Sequence, residues 1–295
     1  MKIKILTATY NNGHLLENLY SSLINQSDKD FDWIIIDDGS VDNTKKLVSN
    51  FLSDKIIKIK YYYQENKGKS SAINSGLNFI NKTDFVVIVD ADEQLKNTAI
   101  KTIKNYVERY HDNEVGIIHF NRMNRTDNTI IANKLFKNDL NFDYFEWKNN
   151  GFIADGYIGY FGRSINDKRF PTFEGEKYIG PSVLMMKVLL EYQMITAKEV
   201  IGITEYQDGG ITKQGRKLRL KNPRGGIYYC LQLQNEKCSK IIQFKYSVLG
   251  YAYSYFGKIQ LSDFYKQVNT KYHFNQLGKI PGFLLSLFWK KQYKL

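Results

Sequence analysis

The uninterrupted apolar run Phe85–Val89 ends directly in Asp90-Ala91-Asp92. An apolar run of this length without polar alternation is typical of a strand that is buried on both faces. Such strands belong to parallel sheets covered by helices, and the run therefore favours an α/β fold. The two carboxylates at its end suit a divalent cation that is held by oxygen ligands. Acidic residues also follow strands as turns or helix caps, so this motif alone leaves both roles open.

Strand and helix patterns alternate through the first half of the chain. Besides the run above, strands are predicted over Lys2–Thr9, Trp33–Ile36, Lys55–Gln64 and Gly116–Phe120, with helical segments between them. This alternation is typical of βαβ units, and we expect a Rossmann-like domain with a mostly parallel central sheet. The pattern over residues 121–205 is irregular, and residues 227–275 are predicted to be mainly helical.

Polar side chains follow four of the predicted strands. In open α/β sheets the ligand lies beyond the carboxyl ends of the strands, so these residues are expected to share one binding rim. The four segments are Thr7-Ala8-Thr9-Tyr10-Asn11, Asp37-Asp38-Gly39-Ser40, Gln64-Glu65-Asn66 and Asp90-Ala91-Asp92.

The positive charge of the chain is concentrated at one end. Residues 215–295 contain 15 Lys or Arg and two acidic residues, whereas residues 1–214 are close to neutral, within a total charge of +12. We therefore expect two parts, an α/β domain over 1–214 and a smaller basic, mainly helical region over 215–295. The basic region points to an anionic partner such as a nucleic acid, phosphates or a membrane surface, or else to a solvated basic helix face.

Missing motifs argue against several classes of protein. Because no G-x-x-x-x-G-K-S/T loop and no G-x-G-x-x-G follow the first strand, a phosphate-bearing ligand would need a metal and basic side chains. The absence of G-x-S-x-G and H-E-x-x-H argues against serine hydrolase and zincin chemistry. Cys230 and Cys238 lack metal-ligand spacing and are expected to be reduced thiols. We expect neither a signal peptide nor a transmembrane helix, and hence a cytoplasmic protein.

Four segments of the chain resemble those of the family-2 glycosyltransferases with the GT-A fold, in their order and approximately in their spacing. They are Thr7–Asn11, Ile36–Thr44, Asn66-Lys67-Gly68 with Asn74-Ser75-Gly76, and Asp90-Ala91-Asp92. The resemblance implies an inverting transfer of one hexose or N-acetylhexosamine from a nucleotide-diphosphate sugar, expected to be a UDP-sugar. The acceptor would be a hydroxyl of a growing, lipid-linked surface glycan, as in bacterial capsule, exopolysaccharide or cell-wall synthesis. The Q-x-x-R-W arrangement of processive synthases is absent, so we expect one sugar per binding event.

The resemblance assigns the nucleotide-binding residues by position. Asp38 would accept a hydrogen bond from the base, expected to be uracil N3–H, while Asp37 would be structural or near the ribose. Asp90 would approach the ribose and the metal, and Asp92 would bind Mg²⁺ or Mn²⁺ through the diphosphate. The remaining implied contacts, to the base or ribose, are Thr7, Thr9, Tyr10, Asn11, Asn66 and Lys67.

An inverting transfer also needs a general base that takes the proton of the acceptor hydroxyl. The family uses a carboxylate, often in a Glu-Asp pair before a helix, and this chain has Glu174-Gly175-Glu176 before the helical run Val183–Leu190 instead. Glu176, next to the helix, is the first candidate for the base and Glu174 the second.

The segment Glu205–Gly226 is predicted to be a polar loop. Within it, Tyr206–Lys217 has the composition of an active-site lid, with glycines as hinges and Lys213, Arg216 and Lys217 able to close on the diphosphate. A solvated basic loop without a role in binding is the alternative.

The end of the chain carries the apolar cluster Phe283–Trp289 beside Lys290, Lys291 and Lys294. A cluster of this length cannot cross a bilayer but can lie in its interface, so we expect a peripheral protein on the inner face of the plasma membrane. The alternative is that the cluster packs into the core of the helical region.

Three other functions stay open from the sequence. A non-catalytic relative would bind the sugar nucleotide only, and a sugar nucleotidyltransferase would share the nucleotide and the metal but needs a Gly-rich first loop that is missing here. A basic nucleic-acid-binding protein is the third, but the positive charge avoids the strand-end rim and no recognition motif is present. We therefore expect no nucleic-acid partner.

Overall fold

The computed structural model describes residues 1–111, 114–132, 139–151, 155–204 and 211–294. In chain order, the strands are β1 Lys2–Thr9, β2 Phe31–Asp37, β3 Lys58–Tyr63, β4 Asp84–Ile88, β5 Glu93–Leu95, β6 Val115–Asn124, β7 Leu140–Phe142, β8 Gly156–Phe161 and β9 Gln193–Thr204. The helices are α1 Gly13–Ile24, α2 Thr44–Asp54, α3 Lys69–Leu77, α4 Ala99–Arg109, α5 Tyr144–Asn149, α6 Gly162–Ile165, α7 Ser182–Leu189, α8 Ile211–Lys221, α9 Pro223–Gln232, α10 Lys240–Gly257, α11 Leu261–Gln267 and α12 Lys279–Tyr293, with a 3₁₀ turn over Gln276–Gly278.

The strands form one sheet in the order β3-β2-β1-β4-β8-β6-β9-β5, and β7 pairs with β9. The strands β3, β2, β1 and β4 are mutually parallel. Strand β8 is antiparallel to β4 and β6, while β6 and β9 are parallel. The predicted α/β class, with a mostly parallel central sheet and a mainly helical C-terminal region, is confirmed.

Helices cover both faces of the sheet. On one face α1, α2 and α4 bury residues such as Leu16, Val48 and Ile103 against the strands. On the other face α3 lies so close that a Cβ added at Gly76 would be 2.3 Å from Cδ1 of Leu6. Gly76 lies in the last turn of α3, and the absence of a side chain there lets the helix pack closely on β1.

The prediction of an irregular segment over 121–205 is wrong for much of its length. It contains β8 and the 12-residue strand β9. Lys198 and Glu199 interrupt the apolar pattern of β9, and its pairing with β6 shifts register nearby. A strand with such irregular pairing does not produce the two-residue alternation by which strands are identified in a sequence.

The chain divides into two compact units. Unit 1 comprises Met1–Tyr144, Phe152–Arg169 and Lys187–Gln207, and unit 2 comprises Phe145–Gly151, Phe170–Met186 and Asp208–Leu295. This division differs from the expected boundary at residue 214, because two earlier segments belong to the helical unit. One of them carries Glu174 and Glu176.

Unit 2 is built around α10. A Cβ added at Gly282 of α12 would lie 2.5 Å from Cβ of Tyr251, so the two helices pack closely. The indole of Trp289 is buried against Tyr253, with ring centroids 5.2 Å apart. Cys230 and Cys238 are buried and form no disulfide.

The predicted loop over 205–226 is wrong where the structure describes it. Residues 211–221 are helical and α9 follows, while residues 205–210 lie outside the described part of the chain. Leu220 is buried and fixes α8 in unit 2, and Gly215, with φ +46°, kinks the helix. A hydrophilic composition suggested a loop, but a few apolar residues suffice to anchor a basic helix. None of the described helices combines the length and apolarity that a membrane span requires.

Candidate active site

Backbone hydrogen bonds join the polar strand ends of unit 1 into one rim. The N–H of Asp38 donates to the carbonyl of Thr9 at 2.8 Å, and the N–H of Gln64 donates to that of Asp37 at 2.9 Å. On the other side of β1, the N–H of Val89 donates to the carbonyl of Leu6 at 3.0 Å. Three of the predicted segments therefore lie side by side, and Asp90 follows Val89 directly.

Asp37 is fully buried beneath this rim. Its Oδ1 accepts the N–H of Ser40 at 2.8 Å and its Oδ2 accepts the hydroxyl of Tyr61 at 2.6 Å. Burial, aided by the Asp37 carboxylate, raises the pKa of Tyr61 above the ordinary value of a phenol. These contacts brace the turn after β2.

Asp38 holds the loop between β3 and α3. Its Oδ1 accepts hydrogen bonds from Nε2 of Gln64 and the N–H of Lys67, and its Oδ2 accepts the N–H of Gly68. Gly39 adopts φ +83°, and a Cβ there would lie 2.7 Å from the backbone N of Asn66. The structure thus brings Asn66 and Lys67 to the rim beside Asp38.

The side chains at the end of β1 divide between core and surface. Thr7 is fully buried and its hydroxyl accepts Nε1–H of Trp33 at 3.0 Å, so it packs in the core of this structure, and its contact with the base stays a prediction. Alternation along the strand places Thr7 on the same face of β1 as Ile3 and Ile5. Tyr10 is 47% exposed. Asn11, with φ +51°, accepts the N–H of Val41 and ties β1 to the turn after β2.

The Oγ1 atom of Thr9 is a buried polar atom at the edge of the rim. It has no hydrogen-bond partner among the residues that the structure describes. A buried hydroxyl without a partner is uncommon and costs free energy, so it is a candidate for a ligand or water contact.

Asp90, Ala91 and Asp92 form a tight turn after β4. The N–H of Asp90 donates to Oε2 of Glu93 at 2.9 Å, and the N–H of Glu93 donates back to the carbonyl of Asp90 at 3.1 Å. Nζ of Lys69, the first residue of α3, lies 2.6 Å from Oδ2 of Asp90. Burial raises the pKa of Asp92, and the Asp90 carboxylate adds to this shift.

The pair of Glu93 and Arg122 supports this turn and was not foreseen. Glu93 is 1% exposed, and its Oε1 lies 2.5 Å from Nη2 of Arg122. Burial raises the pKa of Glu93 to about 8, while the Arg122 charge acts in the opposite direction. Arg122 also donates to the carbonyl of Gly156 and lies over the ring of Tyr157. The sequence signal is weak: Arg122 follows the buried apolar part of β6.

The turn fits a divalent cation only with help from a ligand. No three His, Cys, Asp or Glu side chains within the described ranges converge in the way that a complete protein metal site requires. Mg²⁺ and similar ions are often held by one or two carboxylates together with substrate phosphates. Asp90 and Asp92 can supply that share, so the donor set suits a cation that bridges to a diphosphate.

The two candidates for the base lie in unit 2. The side chain of Glu176 is 4% exposed, and its two oxygens accept the N–H groups of Arg224 and Gly225 at the start of α9, at 2.7 and 3.0 Å. Burial raises the pKa of Glu176, although these hydrogen bonds oppose the shift. Glu176 thus caps a helix, which is a favourable place for a carboxylate. Glu174 is exposed. The choice between them as base stays a prediction.

The two predicted lid residues are in α8. Arg216 donates to the hydroxyl of Tyr253 at 2.5 Å and lies over the indole of Trp289 at 4.8 Å. The side chain of Lys213 lies outside the described residues. Diphosphate binding by either residue stays a prediction.

Comparison with known proteins shows which family this chain resembles. The family model described as Glycosyl transferase family 2 matches residues 4–170, more than half of the chain. A Campylobacter jejuni protein named GalNAc(5)-diNAcBac-PP-undecaprenol beta-1,3-glucosyltransferase is 35% identical over 104 residues, which cover 35% of this chain and 33% of that protein. The chain matches between 33% and 38% of the length of several curated relatives.

Solved structures share the fold at low sequence identity. The crystal structure of S. aureus TarS 1–349 in complex with UDP-GlcNAc has a TM-score of 0.66 and 14% identity, with 97% of this chain and 80% of that one covered. The mannosyltransferase PcManGT from Pyrobaculum calidifontis, in complex with GDP-Man and Mn²⁺, has a TM-score of 0.59 and 14% identity, with 99% and 87% covered. At this identity the likeness establishes the GT-A fold alone.

Proposed function

We propose that this chain, which belongs to glycosyl transferase family 2, transfers a single sugar from a nucleotide-diphosphate sugar to a hydroxyl of a glycan acceptor. The observation that carries the proposal is the rim of unit 1. There the loop held by Asp38 and the turn of Asp90 and Asp92 lie at the carboxyl ends of neighbouring parallel strands. This is the position at which open α/β sheets bind nucleotides.

The rim offers distinct groups to each part of a UDP-sugar. A carboxylate only accepts hydrogen bonds, so Asp38 suits the N3–H donor of uracil. The exposed Tyr10, with Thr9, Asn11, Asn66 and Lys67, would contact the base and ribose, and Asp37 would support them through the turn after β2. Asp90 and Asp92 would hold Mg²⁺ or Mn²⁺ against the diphosphate. The bound cation would stabilise the charge that develops on the leaving group.

The transfer is proposed to proceed with inversion in one displacement. The acceptor oxygen forms a bond to the anomeric carbon while the bond from that carbon to the phosphate oxygen breaks, and the nucleoside diphosphate leaves. The acceptor proton passes to a carboxylate, for which Glu176 and Glu174 are the two candidates. Both hexose and N-acetylhexosamine donors are compatible with this chemistry.

We further propose a lipid-linked surface glycan as acceptor and a peripheral position on the membrane. The name of the C. jejuni relative includes an undecaprenol-linked glycan, which supports the acceptor class. Helix α12 supports the location. It turns Gly282, Ser286 and Trp289 inward, while apolar side chains on the other side are 45% to 73% exposed. The exposed members are Ile280, Phe283, Leu284, Leu287 and Phe288.

This exposed face of α12 has lysines at both ends. Lys279 lies at the start of the helix, and Lys290, Lys291 and Lys294 at its end. An apolar face with a basic border matches the interface of an anionic membrane, where each basic residue contributes ~1 kcal/mol. Trp289, expected in the interface, packs into unit 2 instead.

A direct comparison of ligands separates a transferase from a nucleic-acid-binding protein. Thermal unfolding is measured with UDP and Mn²⁺, and gel mobility shifts are measured with single- and double-stranded nucleic acids. We expect UDP with Mn²⁺ to raise the melting temperature and the nucleic acids to leave the mobility unchanged. A mobility shift at physiological salt without any effect of UDP or GDP would overturn the proposed function.

A further inference from the structure

Lys69 and Asp90 form an ion pair across the proposed diphosphate site. Lys69 opens α3 and Asp90 follows β4, so the 2.6 Å contact joins the start of a helix to the acidic turn. The two side chains are 35% and 36% exposed. A partly exposed pair can be separated by a competing ligand at a modest cost in free energy.

The pair changes the charge that an arriving cation meets. The Lys69 ammonium, in direct contact with Oδ2 of Asp90, compensates the charge of that carboxylate. Nη2 of Arg122 lies 2.5 Å from Oε1 of Glu93, so the turn also has the positive charge of Arg122 beside it. Asp90 and Glu93 each have a cationic side chain within ion-pair distance. Among the residues that the structure describes, Asp92 has none. The free protein therefore offers a cation little uncompensated negative charge.

We propose that Lys69 holds Asp90 in the free protein and releases it to a divalent cation only when the donor diphosphate gives Lys69 a new partner. The inference rests on the proposed function and goes beyond it, because it sets the order of events at the site. A lysine ammonium binds phosphate as a compact point charge. The same diphosphate supplies the oxygen ligands that the two aspartates alone do not provide. Nucleotide and cation would thus enter together.

The proposal is tested by Mn²⁺ binding, followed through the electron paramagnetic resonance signal of free Mn²⁺. Wild type, Lys69→Met, Lys69→Arg and Lys101→Met are titrated without nucleotide. Lys101 is an exposed lysine of α4 and serves as the control for loss of one charge. We expect Lys69→Met to bind Mn²⁺ about tenfold more tightly than wild type, since one competing charge is removed from a partly screened site. Lys69→Arg and Lys101→Met should keep the wild-type affinity.

A second titration of the wild type uses no variant and repeats the measurement with saturating UDP. We expect UDP to increase Mn²⁺ affinity, and equal affinities with and without UDP would overturn the inference. So would a Lys69→Met protein that binds Mn²⁺ no more tightly than wild type. UDP binding is measured directly in the same samples by calorimetry and tests the proposed function separately. If UDP binds but does not change the Mn²⁺ affinity, only the proposed role of Lys69 is removed.

Discussion

The backbone N–H of Gly68 donates a 2.7 Å hydrogen bond to Oδ2 of Asp38. Together with the bonds from Gln64 and Lys67 to Oδ1, it fixes the loop before α3 to the end of β2. One buried carboxylate therefore determines where Asn66 and Lys67 stand. The same side chain is proposed to bind the base, so loop position and base recognition are coupled.

Replacing Asp38 by Asn tests this coupling. The amide presents one NH₂ group where the loop needs an acceptor, so at least one buried N–H loses its partner. We expect the free energy of unfolding to fall by about 1–3 kcal/mol and UDP to bind at least about tenfold more weakly, a change of ~1.4 kcal/mol. Urea unfolding and calorimetric UDP titration measure the two effects. Glu65→Gln, at an exposed position of the same loop, is the control, and unchanged UDP affinity in Asp38→Asn would refute base recognition by Asp38.

Glu176 and Glu174 are distinguished by kinetics. If Glu176 is the base, Glu176→Gln lowers kcat by roughly 10²–10⁴ with little change in the KM for the donor, whereas Glu174→Gln stays near wild type. Because Glu176 also caps α9 through Arg224 and Gly225, its variant should melt at a lower temperature, and rates are compared well below that temperature. The reverse pattern, with kcat lost only in Glu174→Gln, would transfer the role to Glu174.

The buried His119 is expected to make unit 1 less stable at acid pH. It lies on β6, 3% exposed, and burial lowers its pKa from the ordinary 6.5 to about 4. The unfolded chain therefore binds a proton between pH 6.5 and 4 that the folded chain does not, and the free energy of unfolding should fall by ~1–3 kcal/mol as the pH drops through this range. Urea unfolding at several pH values should give a smaller slope for His119→Gln. The exposed His14→Gln is the control, and equal slopes for all three proteins would contradict the prediction.

The exposed face of α12 is tested by flotation with phosphatidylglycerol vesicles. We expect the wild type to float, and flotation to weaken with added salt because the lysine border is screened. A double substitution, Leu284→Glu with Phe288→Glu, should abolish flotation, while Gln292→Glu on the same helix should not. Membrane binding by α12 is refuted if the double variant floats like the wild type or if neither protein floats. A dimer in solution that the double variant dissociates would assign the face to a second copy of the chain.

The rim of polar strand ends could be predicted because its signals are local. The apolar run before Asp90 and the acidic pair at Asp37 and Asp38 each mark a strand end, and parallel strands bring such ends to one edge. Contacts between distant segments could not be predicted. Alternation places Thr7 on one face of β1 but does not reveal that Trp33 lies beneath it. The contact between Glu93 and Arg122 likewise depends on sheet order, which the sequence pattern left open.

The helical unit was predicted less well because composition misleads where few residues anchor an element. The composition of the basic, glycine-containing segment before α9 predicts a loop, yet Leu220 and the stacking of Arg216 on Trp289 hold it as a helix. The composition of α12 predicts a single apolar cluster. Its helical period instead divides it, with Trp289 in the core and Leu284 and Phe288 on the surface.

A donor screen is the most direct test of sugar transfer from a nucleotide-diphosphate sugar. The purified protein is incubated with Mn²⁺, a panel of UDP- and GDP-sugars and lipid-linked glycan acceptors, and the released nucleoside diphosphate and the mass of the product are measured. We expect the protein to release UDP from at least one UDP-sugar and to form a product that is heavier by one sugar. Asp92→Asn should abolish this turnover and the exposed Asp167→Asn should retain it. Two results would contradict transfer from a nucleotide-diphosphate sugar. In one, the folded wild-type protein releases no nucleoside diphosphate from any donor; in the other, Asp92→Asn releases it as fast as the wild type.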